Sequence, residues 1–95
     1  MDQQQHSEKG FRVTGRVQGV GFRWWVVEQA QRRGLRGWVR NRDDGSVEVQ
    51  AMGSVGAMEA FSRDLKKGPP AARVDGVDEV PGQGGDQEAG FRVRH

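Results

Sequence analysis

Between strand-like and helix-like stretches near its start, the chain reads Gly15-Arg16-Val17-Gln18-Gly19-Val20-Gly21-Phe22-Arg23. Three glycines in seven residues cost backbone entropy, and the usual return is access to positive φ or a close approach of backbone to a ligand. Where such a loop runs into a helix, its N–H groups can converge on one point. The first-turn amides lack partners there, and the helix dipole adds partial positive charge. That combination suits an oxyanion, and Arg23 would add a planar fork of donors matched to two phosphate oxygens. The spacing G-x-x-x-G-x-G is neither a Walker motif nor G-x-G-x-x-G, so nucleotide binding is unsupported. Taken singly the features are weak: a glycine-rich turn is more often structural, an Arg at a helix start is usually a surface residue, and Asn41, ending a strand, usually serves the turn.

Composition narrows what else could act. The chain has 95 residues, no cysteine and two histidines, His6 and His95, both near its ends. No thiolate nucleophile, disulfide framework or Cys-based metal site is available, and neither a metal nor a cofactor is expected. Asp43 and Asp44 sit in a turn that favours Asp for backbone reasons, and Ser54 suits a helix cap, so none is assigned acid, base or nucleophile duty. No apolar run approaches a bilayer span and the polar start does not resemble a signal peptide, so a soluble, cytoplasmic protein without membrane contact is expected. Net charge is +2, yet residues 9–42 hold nine Lys or Arg against one acid, while residues 43–91 hold four against ten. The positive part should attract phosphate or another anion.

The elements that must position these residues follow from periodicity. Residues 1–9 are polar and aperiodic, which predicts a disordered tail, with residues 10–95 as one domain. Phe11 and Val13 alternate with Arg12 and Thr14 as in a half-buried strand. Phe22, Trp25, Val26 and Ala30 share one face of a helix expected over Phe22–Arg33, which Gly34 ends. A strand is expected over Leu35–Asn41, a turn at Arg42-Asp43-Asp44-Gly45, and a strand over Ser46–Met52. Pairing Asn41 with Val47 sets Val39 opposite Val49 and Arg40 opposite Glu48, so apolar meets apolar and charges complement. Ser54 caps a second helix with a Met58, Phe61, Leu65 stripe, stopped by Gly68-Pro69-Pro70. A strand near Val74–Val80, a mobile loop over Gly82–Gly90 and a short strand Phe91-Arg92-Val93 complete the chain. The class is α+β, a ferredoxin-like split βαβ sandwich: β-α-β-β-α-β plus a C-terminal strand, an antiparallel sheet with two helices on one face.

The loop Gly15–Arg23, followed by Ala30, then Gly34-Leu35-Arg36-Gly37-Trp38-Val39-Arg40-Asn41, then Asp44-Gly45-Ser46-Val47-Glu48, resembles the acylphosphatase family. The resemblance runs on through Gly53, Phe61, Gly68-Pro69 and Phe91-Arg92-Val93. It departs in the Trp24-Trp25 pair and in the glycine-rich stretch before Phe91. It implies metal-free hydrolysis of an acyl phosphate to a carboxylate and inorganic phosphate, without cofactor. On the family's pattern the backbone amides of Arg16, Val17, Gln18, Gly19, Val20 and Gly21, with Arg23, hold the phosphoryl group, and Asn41 positions the attacking water. The partners implied are a small-molecule acyl phosphate and inorganic phosphate, both product and competitive inhibitor, with a monomer and no nucleic acid expected.

Two other readings belong to the same fold class. An RNA-binding module would use the positive half, and Arg36-Gly37-Trp38-Val39-Arg40 imitates the start of an RNP1 motif, but Val39 and Arg40 break it and it lies on the second strand instead of the third. A domain of this fold could also handle carbamoyl phosphate within a larger carbamoyl-transfer enzyme. Trp38, opposite Val39, could stack a base, but covering the sheet is the preferred role.

Overall fold

In the computed structural model, which describes residues 5–83 and 90–95, the elements run β1 (His6–Arg16), α1 (Phe22–Arg32), β2 (Arg36–Asn41), β3 (Val47–Ser54), α2 (Val55–Lys67), β4 (Arg73–Pro81) and β5 (Phe91–Val93). The sheet order is β4-β1-β3-β2-β5. β3 pairs antiparallel with both β1 and β2, in the register charge and hydropathy dictate: Asn41 opposite Val47, Arg40 opposite Glu48, Val39 opposite Val49. β4 adds antiparallel to β1, and β5 adds parallel to β2. Four strands therefore keep the expected antiparallel arrangement and the fifth makes the sheet mixed. Three residues of alternating pattern carry no direction; that is set by β5 returning to the edge opposite β4, where Gly37 N–H donates to Gly90 O and Arg94 N–H to Val39 O.

Both helices pack on one face. Phe22, Val26, Val27 and Ala30 of α1 and Met58, Phe61 and Leu65 of α2 join Phe11, Val13, Val39, Val47 and Val49 in one buried cluster. Phe61 sits at its centre, edge-on to Phe11 and to Phe91, with centroids 6.1 Å away in each case. Truncating such a ring costs about 3–5 kcal/mol. Trp25, expected in the core, is only partly buried, stacked on Phe22 at 5.4 Å, and Val27 takes the inward position.

The N-terminal boundary differs from expectation. Residues 6–9 belong to β1: His6, Ser7, Glu8 and Lys9 pair with Ser54, Gly53, Met52 and Ala51, and Gln5 O accepts from Val55 N–H at 2.8 Å. Their side chains are polar and alternate between exposed and half-buried, so no apolar alternation marks them; backbone ladder bonds hold them instead. Of the expected tail, residues 1–4 lie outside the described residues, as do residues 84–89 of the expected mobile loop.

Candidate active site

The topology brings the glycine-rich loop and Asn41 to one end of the sheet. β1 and β2 both run antiparallel to β3, so they run parallel to each other, and Val13 and Asn41 pair with the same residue, Val47. The loop leaves β1 just past Val13, and Asn41 ends β2. With β3 between them, the two strand ends stand two strand spacings apart, about 10 Å.

The loop is built from alternating anchors and free backbone. Val17 is buried and Val20 packs against the core, while Gly19 and Gly21 adopt φ of 75° and 77°. That left-handed conformation turns successive N–H groups to one side, and a Cβ would be strained there. Gly21 is also the N-cap of α1, and no side chain caps that helix. At α2, by contrast, Ser54 Oγ accepts from Ala57 N–H at 3.1 Å. Missing caps cost about 0.5–2 kcal/mol, so α1 starts with unpaired donors that an anion could satisfy. Neither an acidic residue nor a cap offsets its dipole.

Arg23 stands in this first turn, half-buried, without an ion-pair partner among the described residues. A cation beside a helix N-terminus is unfavourable on its own, so the site is charged for an anion. Arg16, at the end of β1, is exposed and likewise has no described ion-pair partner. Other basic groups are engaged by carboxylates: Arg12 on Asp44 at 2.6 Å, and Arg40 and Arg42 sharing one Glu48 oxygen at 2.9 and 3.0 Å.

Asn41 shares the parity of Val39, so its side chain leaves β2 on the helix side. Its Oδ1 is buried and has no hydrogen-bond partner among the described residues. A buried carbonyl oxygen left unpaired costs about 1–3 kcal/mol, which a bound donor would recover. A cavity of about 290 Å³ opens beside Arg40, Asn41, Arg42 and the Asp43-Asp44 turn. A larger one, about 500 Å³, lies along Arg12, Glu48, Gln50 and Pro81, and neither Arg23 nor Asn41 lines it.

Sequence patterns missed the side chain of Gln18. Its Nε2 donates to Arg42 O at 2.8 Å and to Ser46 O at 2.9 Å, fastening the loop to the turn after Asn41. Gln between apolar and glycine residues gives no periodic signal for such a tether. Asp44 is held in the turn as well: Ser46 Oγ and Ser46 N–H donate to its Oδ1 at 2.6 and 2.9 Å. These bonds, the Ser46 hydroxyl first and Arg12 last, hold the Asp44 carboxyl well below the usual carboxylate range. Trp38 is 4% exposed, lying under the guanidinium groups of Arg94 and Arg40 at 4.7 and 5.6 Å. It covers the sheet and offers no free ring to a base. Among the described residues no cluster of His or carboxylate groups could hold a metal, and no helix is long and apolar enough to cross a membrane.

Comparison with known proteins converges. The acylphosphatase family model matches residues 9–93. An acylphosphatase of Actinobacillus pleuropneumoniae is 46% identical over 92% of this chain and 97% of its own length. One of Koribacter versatilis is 57% identical over 72% of this chain and 62% of its own. The crystal structure of acylphosphatase from Bacillus subtilis superposes with a TM-score of 0.87 at 36% identity, over 96% of this chain and all of that one.

Proposed function

The chain belongs to the acylphosphatase family and is a hydrolase acting on acyl phosphates, and we propose that it works by clamping the phosphoryl group in the Arg16–Gly21 loop while Asn41 aims a water at it. The phosphoryl oxygens accept from the loop amides, from the uncapped first turn of α1 and from the Arg23 guanidinium. The water oxygen attacks phosphorus, the bond from phosphorus to the acyl oxygen breaks, and its electron pair leaves with the carboxylate. The water proton passes to a phosphate oxygen, so no side-chain base is needed. Phosphoryl transfer through a loose transition state asks mainly for positioning and charge stabilisation, and a carboxylate is a good leaving group. Metal and cofactor have no part in this scheme.

The buried, unpartnered Asn41 Oδ1 carries the reading. An amide offers a donor and an acceptor at fixed separation and stays neutral beside a dianion, and a water donating to Oδ1 would satisfy it. The loop's free donors and the unpaired Arg23 supply the complementary anion site.

The remaining parts of the proposal are that inorganic phosphate competes with substrate, that the chain acts as a cytoplasmic monomer, and that nucleic acid and membrane are not partners. The covered Trp38 speaks against base stacking. Following benzoyl phosphate by its absorbance loss, with and without inorganic phosphate, tests the reading. Absent turnover, or purely noncompetitive inhibition, sinks it. Size-exclusion chromatography tests the monomer, cell fractionation the cytoplasmic location and lack of membrane contact, and titration with single-stranded RNA at physiological salt the lack of nucleic-acid binding.

A further inference from the structure

Among the described residues Glu48 is one of three buried polar or charged ones, with Ser46 and Gln50. It lies on the helix-free face of the sheet, opposite Arg40. Its Oε1 accepts from Arg40 Nε at 2.9 Å and from Arg42 Nη1 at 3.0 Å. Those two arginines flank Asn41 in sequence. Along a strand, alternate side chains take opposite faces, so Glu48 grips the residues before and after Asn41 from beneath while Asn41 projects to the other side.

The grip matters because nothing else orients the amide. Among the described residues no hydrogen bond reaches the Asn41 side chain. Its direction is inherited from the backbone on which it stands, at the point where β2 gives way to a turn. Arg42 is fastened at three points: its backbone N–H donates to Ser46 O, its carbonyl accepts from Gln18, and its guanidinium is held by Glu48. Arg40 is fixed by the ladder and by the same carboxylate.

We propose that Glu48 is a positioning residue for the reaction: by holding Arg40 and Arg42 on one carboxylate oxygen it fixes the strand end that aims Asn41. The inference rests on the reading of Asn41 as the water-holding group. Glu48 acts from the far face of the sheet and touches neither phosphoryl group nor water. Its removal loosens aim without dismantling the anion site, and frees two guanidinium groups that raise the local positive potential.

The test compares wild type, Glu48→Gln, Asn41→Ala and the double variant, measuring kcat and KM for benzoyl phosphate and Kd for inorganic phosphate. A misplacement near 1 Å costs on the order of 100-fold, so Glu48→Gln should lower kcat by about 10-fold to 100-fold. Phosphate should bind as in wild type or more tightly. In the Asn41→Ala background the same substitution should change kcat by less than about 2-fold, because coupled residues fail to add. The side-chain amide resonance of Asn41 should shift in Glu48→Gln. Equal losses in both backgrounds, weakened phosphate binding, or an unmoved resonance overturn the inference while leaving Asn41 its role. Full kcat in Asn41→Ala overturns that role, and the inference with it. Should Glu48→Gln not fold, Arg42→Met decides: it keeps the Arg40 pair, and it must lower kcat by a few-fold in the wild-type background and by nothing without Asn41; full kcat, or an equal loss in both backgrounds, overturns the inference.

Discussion

Gln18 Nε2 lies 2.8 Å from the carbonyl oxygen of Arg42, so the glycine-rich loop is tied by a side chain to the residue that follows Asn41. The loop is thus joined by a hydrogen bond to the covalent neighbour of Asn41, although β3 separates the strands that carry the two. Removing the tether in Gln18→Ala leaves the Arg42 and Ser46 carbonyls without that donor. Two net hydrogen bonds at about 0.5–1.5 kcal/mol each predict a stability loss of about 1–3 kcal/mol, read by urea unfolding. The KM for benzoyl phosphate should rise, and amide exchange at Gly19 and Gly21 should quicken; unchanged exchange would show that the loop holds its shape unaided.

Arg23→Ala should weaken both substrate and phosphate binding and also lower kcat, since the guanidinium serves ground state and transition state alike. Arg23→Lys should not restore activity, because an ammonium cannot span two oxygens in a planar fork. Recovery of wild-type kcat/KM in the lysine variant counts against bidentate contact.

Asn41→Ala should lower kcat by on the order of 100-fold or more with phosphate affinity near wild type, the pattern of an interaction used mainly in the transition state. Circular dichroism must show a folded protein, as Asn41 borders a turn. Loss of phosphate binding as severe as in Arg23→Ala assigns it elsewhere.

Asp44 gives a pH signature to stability. Its folded-state pKa is depressed, chiefly by the Ser46 hydroxyl and N–H. The stabilisation is therefore full above the unfolded carboxyl value of about 3.9 and is lost as pH falls below it. Wild type should exceed Asp44→Asn in Tm at neutral pH, and the gap should narrow progressively as pH falls below about 3.9. A gap that persists in acid means the carboxylate charge is not what stabilises the turn.

Trimming the N-terminus should show a step. Removing residues 1–4, a polar stretch without periodicity in the sequence, should leave Tm unchanged. Removing residues 1–9 deletes the pairing of His6–Lys9 with β3 and should lower Tm by several degrees, as about 1 kcal/mol moves a domain of this size by 4–8 °C. Equal melting of both truncations would deny those residues a part in the sheet.

What the sequence disclosed follows from where side chains are asked to alternate. Val39, Val49 and the Arg40–Glu48 pair fixed the β2–β3 register before any coordinates, because each face had a distinct chemistry. Ser54 and the Met58, Phe61, Leu65 stripe placed α2 in the same way. His6–Lys9 were illegible because backbone bonds, not side chains, hold them. The direction of β5 was illegible because parallel and antiparallel partners need the same alternation over three residues. At the proposed site, the glycine-rich loop running into Arg23 stood out by type and spacing, whereas Asn41 was singled out only through the resemblance to acylphosphatases. Gln18 as a tether and Glu48 as a double acceptor did not stand out, since each depends on which residues 24 to 28 or 6 to 8 positions away become neighbours.

The shared pairing of Val13 and Asn41 with Val47 makes turnover a clock for assembly. A refolding chain that has closed only the β2–β3 hairpin owns Asn41 but no loop beside it. One that has docked β1 without β2 owns the loop but nothing to aim the water. Because the joining strand carries neither group, catalytic amplitude should appear only when its second neighbour locks in, later than any gain in helical signal. Stopped-flow refolding monitored by benzoyl phosphate consumption would therefore date the insertion of β3 between its two partners, an event that spectroscopic probes of the helices do not see.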